Sequence, residues 1–429
     1  MPNNGSTRIV AKLTQSEATA AAVRHESLYS GRIGGARASF AFHDLSGLNL
    51  SGRNLSDADF TGATLAEVDF SAARLDSANL FGADMRRANL TQASLRRADL
   101  RGACLQGANL LGADLFEADL REGTIAEKDR YGNLRILHHD IGPTELPTAM
   151  LKWANLTRAK MSGVMAVQAD FTDALMKNCR LVRANLRQAR MTGANLENAD
   201  LTGCNLAGAV LTGAVLVGVK LDNAVLDGAD LTHTLTNKPA GVAPEKSPIT
   251  IETLLSAHAR WAESEGRVGQ PANLSGFDLR QIEDIGTRPL TALVAPGATF
   301  YGLDLEGASL QGSNLMDADL RCVRLAGADL RGVNFSGARL SRSDLRDAKL
   351  GPLMLDDDRM LASRLDGCEA RYVDFRGADL RGVSLKGADL AYANFIDSNL
   401  RDAVLLDANL VGTKLPPQFV QEMLAVLRA

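Results

Sequence analysis

The stretch that decides the fold is ANLFGADMRRANLTQASLRRADLRGACLQGANLLGADLFEADL, residues 78–120. Every fifth residue in it is Leu or Met, and Ala stands two residues before each of them. Asp, Asn, Ser or Cys fills the position between. A period of five matches neither the 3.6 residues of an α-helix nor the two residues of a plain strand. The stretch therefore predicts a repeat protein with a five-residue unit.

Each unit has five places, which keep the same names below. In chain order they are the small place (usually Ala), the polar place (often Asp or Asn), the central place (Leu, Phe or Met), and the first and second outer places. Central places run through 40–125, 151–231 and 300–415, and the second block is shifted by one residue. Gly and Asp recur in the outer places, where a turn is needed. Two inward side chains and a corner in every unit predict a square coil, whose successive coils stack about 4.8 Å apart by main-chain hydrogen bonds.

The pattern of A-(D/N)-L-x-x units, as in ADFTG (58–62) and ANLLG (108–112), resembles the pentapeptide-repeat family over most of the chain. The resemblance implies an all-β solenoid, a right-handed quadrilateral β-helix with four units per coil. Solenoids need capped ends, and the interruptions of the repeat place short α-helical caps before each of two segments.

The segments between the repeats predict how the chain is divided. Thr14 and Glu17 fit a capping box at the start of a helix. His25 and His258 hold matching positions in two helical stretches, which indicates an internal duplication. A weaker break falls at 353–370. The predicted parts are an N-terminal helical cap at 1–37, a first β-helix at 38–235 with an inserted loop at 126–148, a linker and second helical cap at 236–271, a second β-helix at 272–415, and a C-terminal helix at 416–429.

Composition excludes several classes of protein. Lys and Arg number 47 against 51 Asp and Glu, a net charge of −4 that is too balanced for a dedicated nucleic-acid binder. No apolar run is long enough to span a membrane, and the polar start lacks the apolar core of a secretory signal. The five cysteines have no paired spacing, which favours a reducing compartment. We therefore expect a cytoplasmic protein.

The sequence contains no recognisable set of catalytic residues. An interior filled by Leu and Ala offers no pocket in which titratable groups could converge. His138, His139 and Asp140 lie together in the inserted loop, but no further Cys or His lies nearby in sequence. Phosphate-binding loops and nucleophile elbows are absent from the sequence. We expect no enzyme activity, no cofactor and no metal site.

The outer surface supplies the candidate site. Side chains twenty residues apart should stack, one coil apart, and outward Phe and Arg are residue types enriched in protein interfaces. Tyr301 and Arg321 are expected on the same face as Arg381 and Arg401. The predicted protein-contact residues are Phe81, Arg96, Arg97, Arg101, Phe116, Arg121, Arg381 and Arg401.

Two interpretations of these arginines stay open. Stacked guanidinium groups repel one another, so neighbouring carboxylates such as Asp379, Asp397 and Asp402 could neutralise them. Alternatively, the arginines dock the acidic surface of a partner.

The last segment predicts a short amphipathic helix. It is interpreted either as a lid over the last coil or as a homodimer contact, because some members of the family pair through their C-terminal ends. The residues on its apolar face are Phe419, Val420, Met423, Leu424 and Leu427.

These features favour a non-catalytic protein-interaction scaffold with an unidentified protein partner. The resemblance also implies an alternative, a DNA mimic that binds DNA gyrase or topoisomerase. Duplex DNA carries one charge per about 1.7 Å, so a mimic needs continuous acidic stripes, which arginines such as Arg86 and Arg101 interrupt. A secreted effector is the third alternative.

Overall fold

The computed structural model describes residues 11–123, 126–128, 134–136, 142–241, 250–282, 284–356 and 358–420. The chain forms two compact units, Met1–Lys238 and Pro239–Ala429. Besides the repeats, the elements are helix α1 (Gln15–Tyr29), strands β1 (Ala126–Lys128) and β2 (Leu134–Ile136), helix α2 (Ile251–Glu263), a 3₁₀ turn (Ile285–Thr287), and strands β3 (Leu353–Met354) and β4 (Met360–Leu361).

The repeats form a ladder of parallel bridges between polar places twenty residues apart. Asp59 pairs with Asn79, Asn79 with Asp99, and Asp99 with Asp119. Because the unit has five residues, four units complete one coil before the chain meets itself again. Residues at the same place in successive coils therefore form a column along the outside of the unit.

A repeat with Asp or Asn at its polar place can satisfy all five of its backbone N–H groups, and this explains the sequence pattern. In the unit centred on Met85, four N–H groups donate to backbone carbonyls of the same coil or of the neighbouring coils. The fifth belongs to Arg86 at the first outer place and donates to Oδ1 of Asp84, 3.2 Å away. Asp or Asn at the polar place is therefore the acceptor for the one N–H that the ladder leaves over.

The second outer place carries the corner of the coil. Its residue has positive φ in unit after unit, as in Gly82 (63°) and Arg87 (57°). Glycine meets no steric penalty in this region, which explains why it recurs there.

Each of the two compact units has its own hydrophobic core, built from the side chains at the central and small places. Leu90 and Ala88 are fully buried, as are their counterparts in the coils on either side. Phenylalanines substitute for Leu in places and stack, as Phe40 does on Phe60 with ring centroids 5.0 Å apart.

Both cap helices close the first coil of their unit in the same way. Thr14 and Glu17 form a capping box at the start of α1, and Thr250 caps α2. The Nδ1 atom of His25 accepts the N–H of Ala38 at 3.0 Å. His258 accepts the N–H of Ala272 at 3.1 Å, and burial lowers the pKa of this histidine.

The first insertion ends earlier than the predicted 126–148. Cys104 pairs with Glu145, in the place where the five-residue period would put residue 124. Strands β1 and β2 pair antiparallel within the insertion. Leu146 is already a buried central residue, so the ladder resumes inside the predicted loop. Ile125, expected at a central place, lies outside the described residues.

A second insertion explains the break predicted at 353–370. Strands β3 and β4 pair antiparallel, and the ladder continues from Asn334 directly to Arg364. Leu353 and Leu361 cover Gly332, where an added Cβ would lie 2.9 Å from Cβ of Leu353. Ala370 occupies a fully buried central place, so the break ends before it.

The C-terminal segment begins a helix at 417–420. Phe419 is partly buried and packs against the core of the second unit. Val420 is 38% exposed. Met423, Leu424 and Leu427 lie outside the described residues.

Candidate protein-contact surface

Phe81, Arg101 and Arg121 form one column of first outer places in successive coils of the first unit. The guanidinium carbon of Arg101 lies 5.2 Å from the centroid of the Phe81 ring. Gly123, at the start of the first insertion, lies against the same ring, and a Cβ there would be 2.8 Å from Cε2 of Phe81. Phe81 is therefore half-buried by its own chain, and Arg121 is the most exposed member of the column.

Arg96 and Phe116 form a column on the neighbouring side. The Arg96 guanidinium lies 4.6 Å from the centroid of the Phe116 ring, and that of Arg158 lies 6.0 Å away in the next coil. Arg97, at the adjacent second outer place, pairs with Glu117 at 2.9 Å. The structure thus places the six predicted contacts of the first unit on two adjacent sides, with each Phe in contact with an Arg.

Most of the arginines at first outer places are held by an aspartate of their own five-residue repeat. Arg101 donates from Nε to Oδ1 of Asp99 at 2.8 Å and from Nη2 to Oδ2 at 2.7 Å. Because polar and first outer places are two residues apart, the sequence Asp-x-Arg gives this bidentate geometry repeatedly. We call this bidentate Asp-x-Arg pair a clamp. The same clamp holds Arg86, Arg121, Arg280, Arg321, Arg331, Arg346, Arg376 and Arg381.

The clamps have an electrostatic consequence. Hydrogen bonds from Arg381 lower the pKa of Asp379, and the same bonds raise the pKa of Arg381. Arg401 has a looser partner in Asp402, at 3.4 Å. Neutralisation by neighbouring carboxylates, one of the two interpretations left open by the sequence, therefore describes the geometry of Arg381 with Asp379 and of Arg401 with Asp402.

One predicted column in the second unit was wrong. Arg381 and Arg401 share a column, but Tyr301 and Arg321 belong to another side of the coil. The hairpin of β3 and β4 adds ten residues to the usual spacing, which is half a coil. Counting in twenties across it therefore ends on the opposite side, and the column of Arg381 leads back to Arg331.

Sequence reasoning also missed two features of the Arg321 side. Arg321 and Asp319 pair at 2.6 Å with side chains only 7% and 12% exposed. Farther along, the Arg342 guanidinium lies 4.6 Å from the Tyr372 ring, which stacks on Tyr392 with centroids 5.0 Å apart. Arg342 and Tyr372 are thirty residues apart because the hairpin intervenes, so a search at intervals of twenty could not pair them.

A family model decides what kind of protein this is. The model for pentapeptide repeats (8 copies) matches more than half of the chain, in overlapping stretches that together cover 44–123, 154–232, 298–351 and 362–415. The chain belongs to the pentapeptide-repeat family.

Solved structures of other pentapeptide-repeat proteins resemble the chain. Rfr23 from the cyanobacterium Cyanothece 51142 is 28% identical, with a TM-score of 0.24, over 32% of this chain and 91% of its own. HetL from Nostoc sp. strain PCC 7120, involved in heterocyst differentiation regulation, is 19% identical, with a TM-score of 0.15, over 94% and 97%. QnrB1, a plasmid-mediated fluoroquinolone resistance protein, is 17% identical, with a TM-score of 0.21, over 47% and 93%. The search of curated proteins gave no significant match.

The described part of this pentapeptide-repeat protein contains no group of three or more His, Cys, Asp or Glu residues that could hold a metal ion. His138 and His139 lie outside it. Nor does any helix within the described ranges have the length and apolar character needed to cross a membrane. All five cysteines are free thiols, and burial raises the pKa of Cys179, Cys204 and Cys368 to about 12.

Proposed function

We propose that this protein is a non-catalytic interaction scaffold that binds a protein partner through side chains fixed on the outside of its coils. The observation that carries the proposal is that outward arginines are clamped by an aspartate of the same five-residue repeat, as Asp99 clamps Arg101. A clamped side chain has already lost its conformational freedom, so a partner meets a rigid surface at a low entropic cost.

The proposed contact residues form a surface on two adjacent sides of the first unit and, separately, a column of the second unit. Its aromatic and Arg content is typical of interface centres. Arg97 and Arg121 keep 68% and 48% of their side-chain surface exposed despite their ion pairs. Their remaining N–H groups can donate to an acidic partner. The surface of the first unit consists of Phe81, Arg96, Arg97, Arg101, Phe116 and Arg121, and the column of the second unit consists of Arg381 and Arg401.

Affinity capture from a lysate of the source organism tests this proposal. We expect the double variant Arg96→Ala/Phe116→Ala to fold normally and to lose the partner that the wild type captures. The double variant Arg346→Ala/Arg376→Ala removes two clamped arginines elsewhere and is expected to keep that partner. Equal capture by all three proteins would remove this surface from consideration.

The identity of the captured protein separates the functional alternatives. Gyrase or topoisomerase subunits would favour the DNA mimic instead. The clamps disfavour that alternative, because in each Asp-x-Arg pair the arginine neutralises the negative charge of a carboxylate that an acidic stripe would need. A host protein from outside the cell would favour the secreted effector. The free thiols support a cytoplasmic location as part of the proposal.

We further propose a homodimer contact at the C-terminal end of the second unit. The last coil exposes large apolar side chains, with Leu406 at 62% and Val411 at 57%, close in sequence to the partly buried Phe419. Analytical ultracentrifugation should show a dimer that Leu406→Glu/Val411→Glu converts to a monomer. Leu355→Glu, an equally exposed position in the β3–β4 hairpin, should leave the dimer intact. A monomeric wild type at micromolar concentration would contradict the proposal.

A further inference from the structure

A cleft of about 520 Å³ lies in the first unit, along the column of Phe81, Arg101 and Arg121. The next two first outer places in this column are Ser162 and Val182, whose short side chains produce a step after the long arginines. The cleft is lined by Arg101, Arg121, Glu122, Ser162, Gly163, Val182 and Arg183.

The polar places beside the cleft differ from those of the coils directly before and after them. In the preceding coils these places hold Asp99 and Asp119, and in the following coil Asp200. In the two coils between, they hold Lys160 and Arg180. Two consecutive carboxylates are thus replaced by cations, at positions one coil (about 4.8 Å) apart.

The replacement leaves backbone donors without acceptors. In the coils with aspartate, the first outer N–H donates to the carboxylate, as that of Arg121 does to Asp119 at 3.3 Å and that of Thr202 to Asp200 at 3.1 Å. The N–H groups of Ser162 and Val182 have no acceptor among the residues that the structure describes. Unpaired backbone N–H groups of residues that line one concavity can bind an anion there.

The charges around the cleft also favour an anion. Arg101 and Arg121 are clamped by their aspartates, but each guanidinium has five N–H donors and uses two in the clamp. Arg183 has no ion pair within the described part of the chain. Lys160 lies 3.9 Å from Asp119. Glu122 is the only carboxylate among the lining residues.

We infer that this cleft binds a small ligand with two oxyanion groups, which stand where the aspartate carboxylates of the two coils are missing. One oxyanion accepts the N–H of Ser162 and the other that of Val182, while Arg121 and Arg183 flank the pair. The internal clamps supply the precedent, because Asp119 accepts both the N–H and the guanidinium of Arg121 in the coil next to the cleft.

The spacing of the two donors selects the ligand class. A diphosphate and a four-carbon dicarboxylate both carry two oxyanions at a separation comparable with one coil step. A concave cleft rimmed by arginines suits such a compact ligand better than the flat surface of a macromolecule.

Isothermal titration calorimetry with sodium diphosphate and with sodium succinate tests the inference. We expect saturable one-to-one binding of at least one probe, and the stronger probe identifies the phosphate or the carboxylate class. No saturable heat with either probe at millimolar concentration overturns it.

The decisive variant returns the missing carboxylates. Lys160→Asp/Arg180→Asp should let the new side chains accept the N–H groups of Ser162 and Val182, as Asp119 and Asp200 do for their neighbours. We expect affinity for the probe to fall by at least about tenfold, while the thermal midpoint stays equal or rises. Retained affinity in this variant overturns the site.

A matched control separates local from general electrostatics. Arg190→Asp/Lys220→Asp makes the same change of charge at two other polar places, neither of which lines the cleft. It should keep the affinity within about threefold, because long-range charge effects are weak and screened by salt. Loss equal to that of the decisive variant would mean non-specific attraction. Arg183→Gln, a surface change that cannot unfold the coil, should also weaken binding by about tenfold.

Discussion

The two insertions interrupt the coil in different ways. In the first unit the ladder passes from Cys104 to Glu145, forty-one residues away, which is one extra coil and one residue. In the second unit it passes from Asn334 to Arg364, which is half a coil more than the normal spacing. The first insertion changes which residue numbers are central but keeps the sides in order. The second keeps the numbering of central places but exchanges opposite sides.

Despite this difference, the chain re-enters the coil by the same device. Thr144 and Ser363 hold the first small place after each insertion, where the repeat otherwise favours Ala. The Thr144 hydroxyl accepts the N–H of Gly102 at 3.0 Å, and that of Ser363 accepts the N–H of Gly332 at 2.9 Å and donates to Leu330 at 3.2 Å. A buried hydroxyl thus makes backbone hydrogen bonds at both points where the chain re-enters the ladder.

The largest expected effect is on folding, and it distinguishes a buried position of the coil from an exposed position of an insertion. Leu90→Asp places an unpaired charge in the centre of a fully buried coil, and we expect the first unit not to fold. Met360→Asp, in the second insertion at 66% exposure, should leave the melting curve unchanged. Circular dichroism and thermal melting of both variants measure this, and a folded Leu90→Asp protein would contradict the inward assignment.

The next effect tests the exchange of sides by the β3–β4 hairpin. Arg321→Ala removes the nearer ion-pair partner of the nearly buried Asp319 carboxylate, which keeps Arg339 at 3.7 Å and the backbone N–H of residue 321. The change should destabilise the second unit by about 3 kcal/mol. A double-mutant cycle by chemical denaturation should give a coupling between Arg321 and Tyr301, whose ring lies 5.8 Å away. A second cycle with Arg342 and Tyr372, whose guanidinium and ring lie 4.6 Å apart, should also show coupling. Additivity between these two residues would restore the single face expected from the sequence, because counting in twenties puts them on opposite sides.

A smaller effect tests the buried hydroxyl groups at the two points where the chain re-enters the ladder. Thr144→Val and Ser363→Ala each remove a buried hydroxyl and leave backbone groups of the preceding coil with one partner fewer. We expect each to cost about 1–2 kcal/mol in urea unfolding. Ala at other small places is the normal residue, so Ser343→Ala, whose hydroxyl donates to the carbonyl of Leu340 in its own coil, should cost less. A result in the opposite order would show that the ladder does not depend on these hydroxyls.

The smallest effect concerns an exposed clamp. Arg381→Ala removes an ion pair whose side chains are 49% and 29% exposed and should lower the free energy of unfolding only slightly at neutral pH. Because Arg381 lowers the pKa of Asp379 in the folded protein, the contribution of the pair is present above the carboxyl's usual pKa and lost as the pH falls through the lowered value. Stability of wild type and variant should therefore converge in acid, and a difference that persists there would refute the electrostatic origin.

Much of the fold could be predicted from the sequence, because each place of the unit has its own requirement. Leu90 and Ala88 are buried where the period put them, and Asp84 accepts a backbone N–H because its place requires an acceptor. Pairs such as Arg96 with Phe116 were also predictable, since no insertion separates them. The placement of Arg321 and Arg381 on opposite sides was not, because a sequence pattern does not say how many repeats an interruption adds to the coil.

The sequence by itself determined the repeat unit, the inward residues and the membership of a family, because a five-residue period constrains every side chain locally. Only the tertiary structure decided which outward residues meet. The step from one coil to the next depends on where each insertion returns the chain, and that is a contact between residues far apart in sequence. For the same reason the cleft at Ser162 and Val182 emerges only when Lys160 and Arg180 are seen in the column of Asp119 and Asp200.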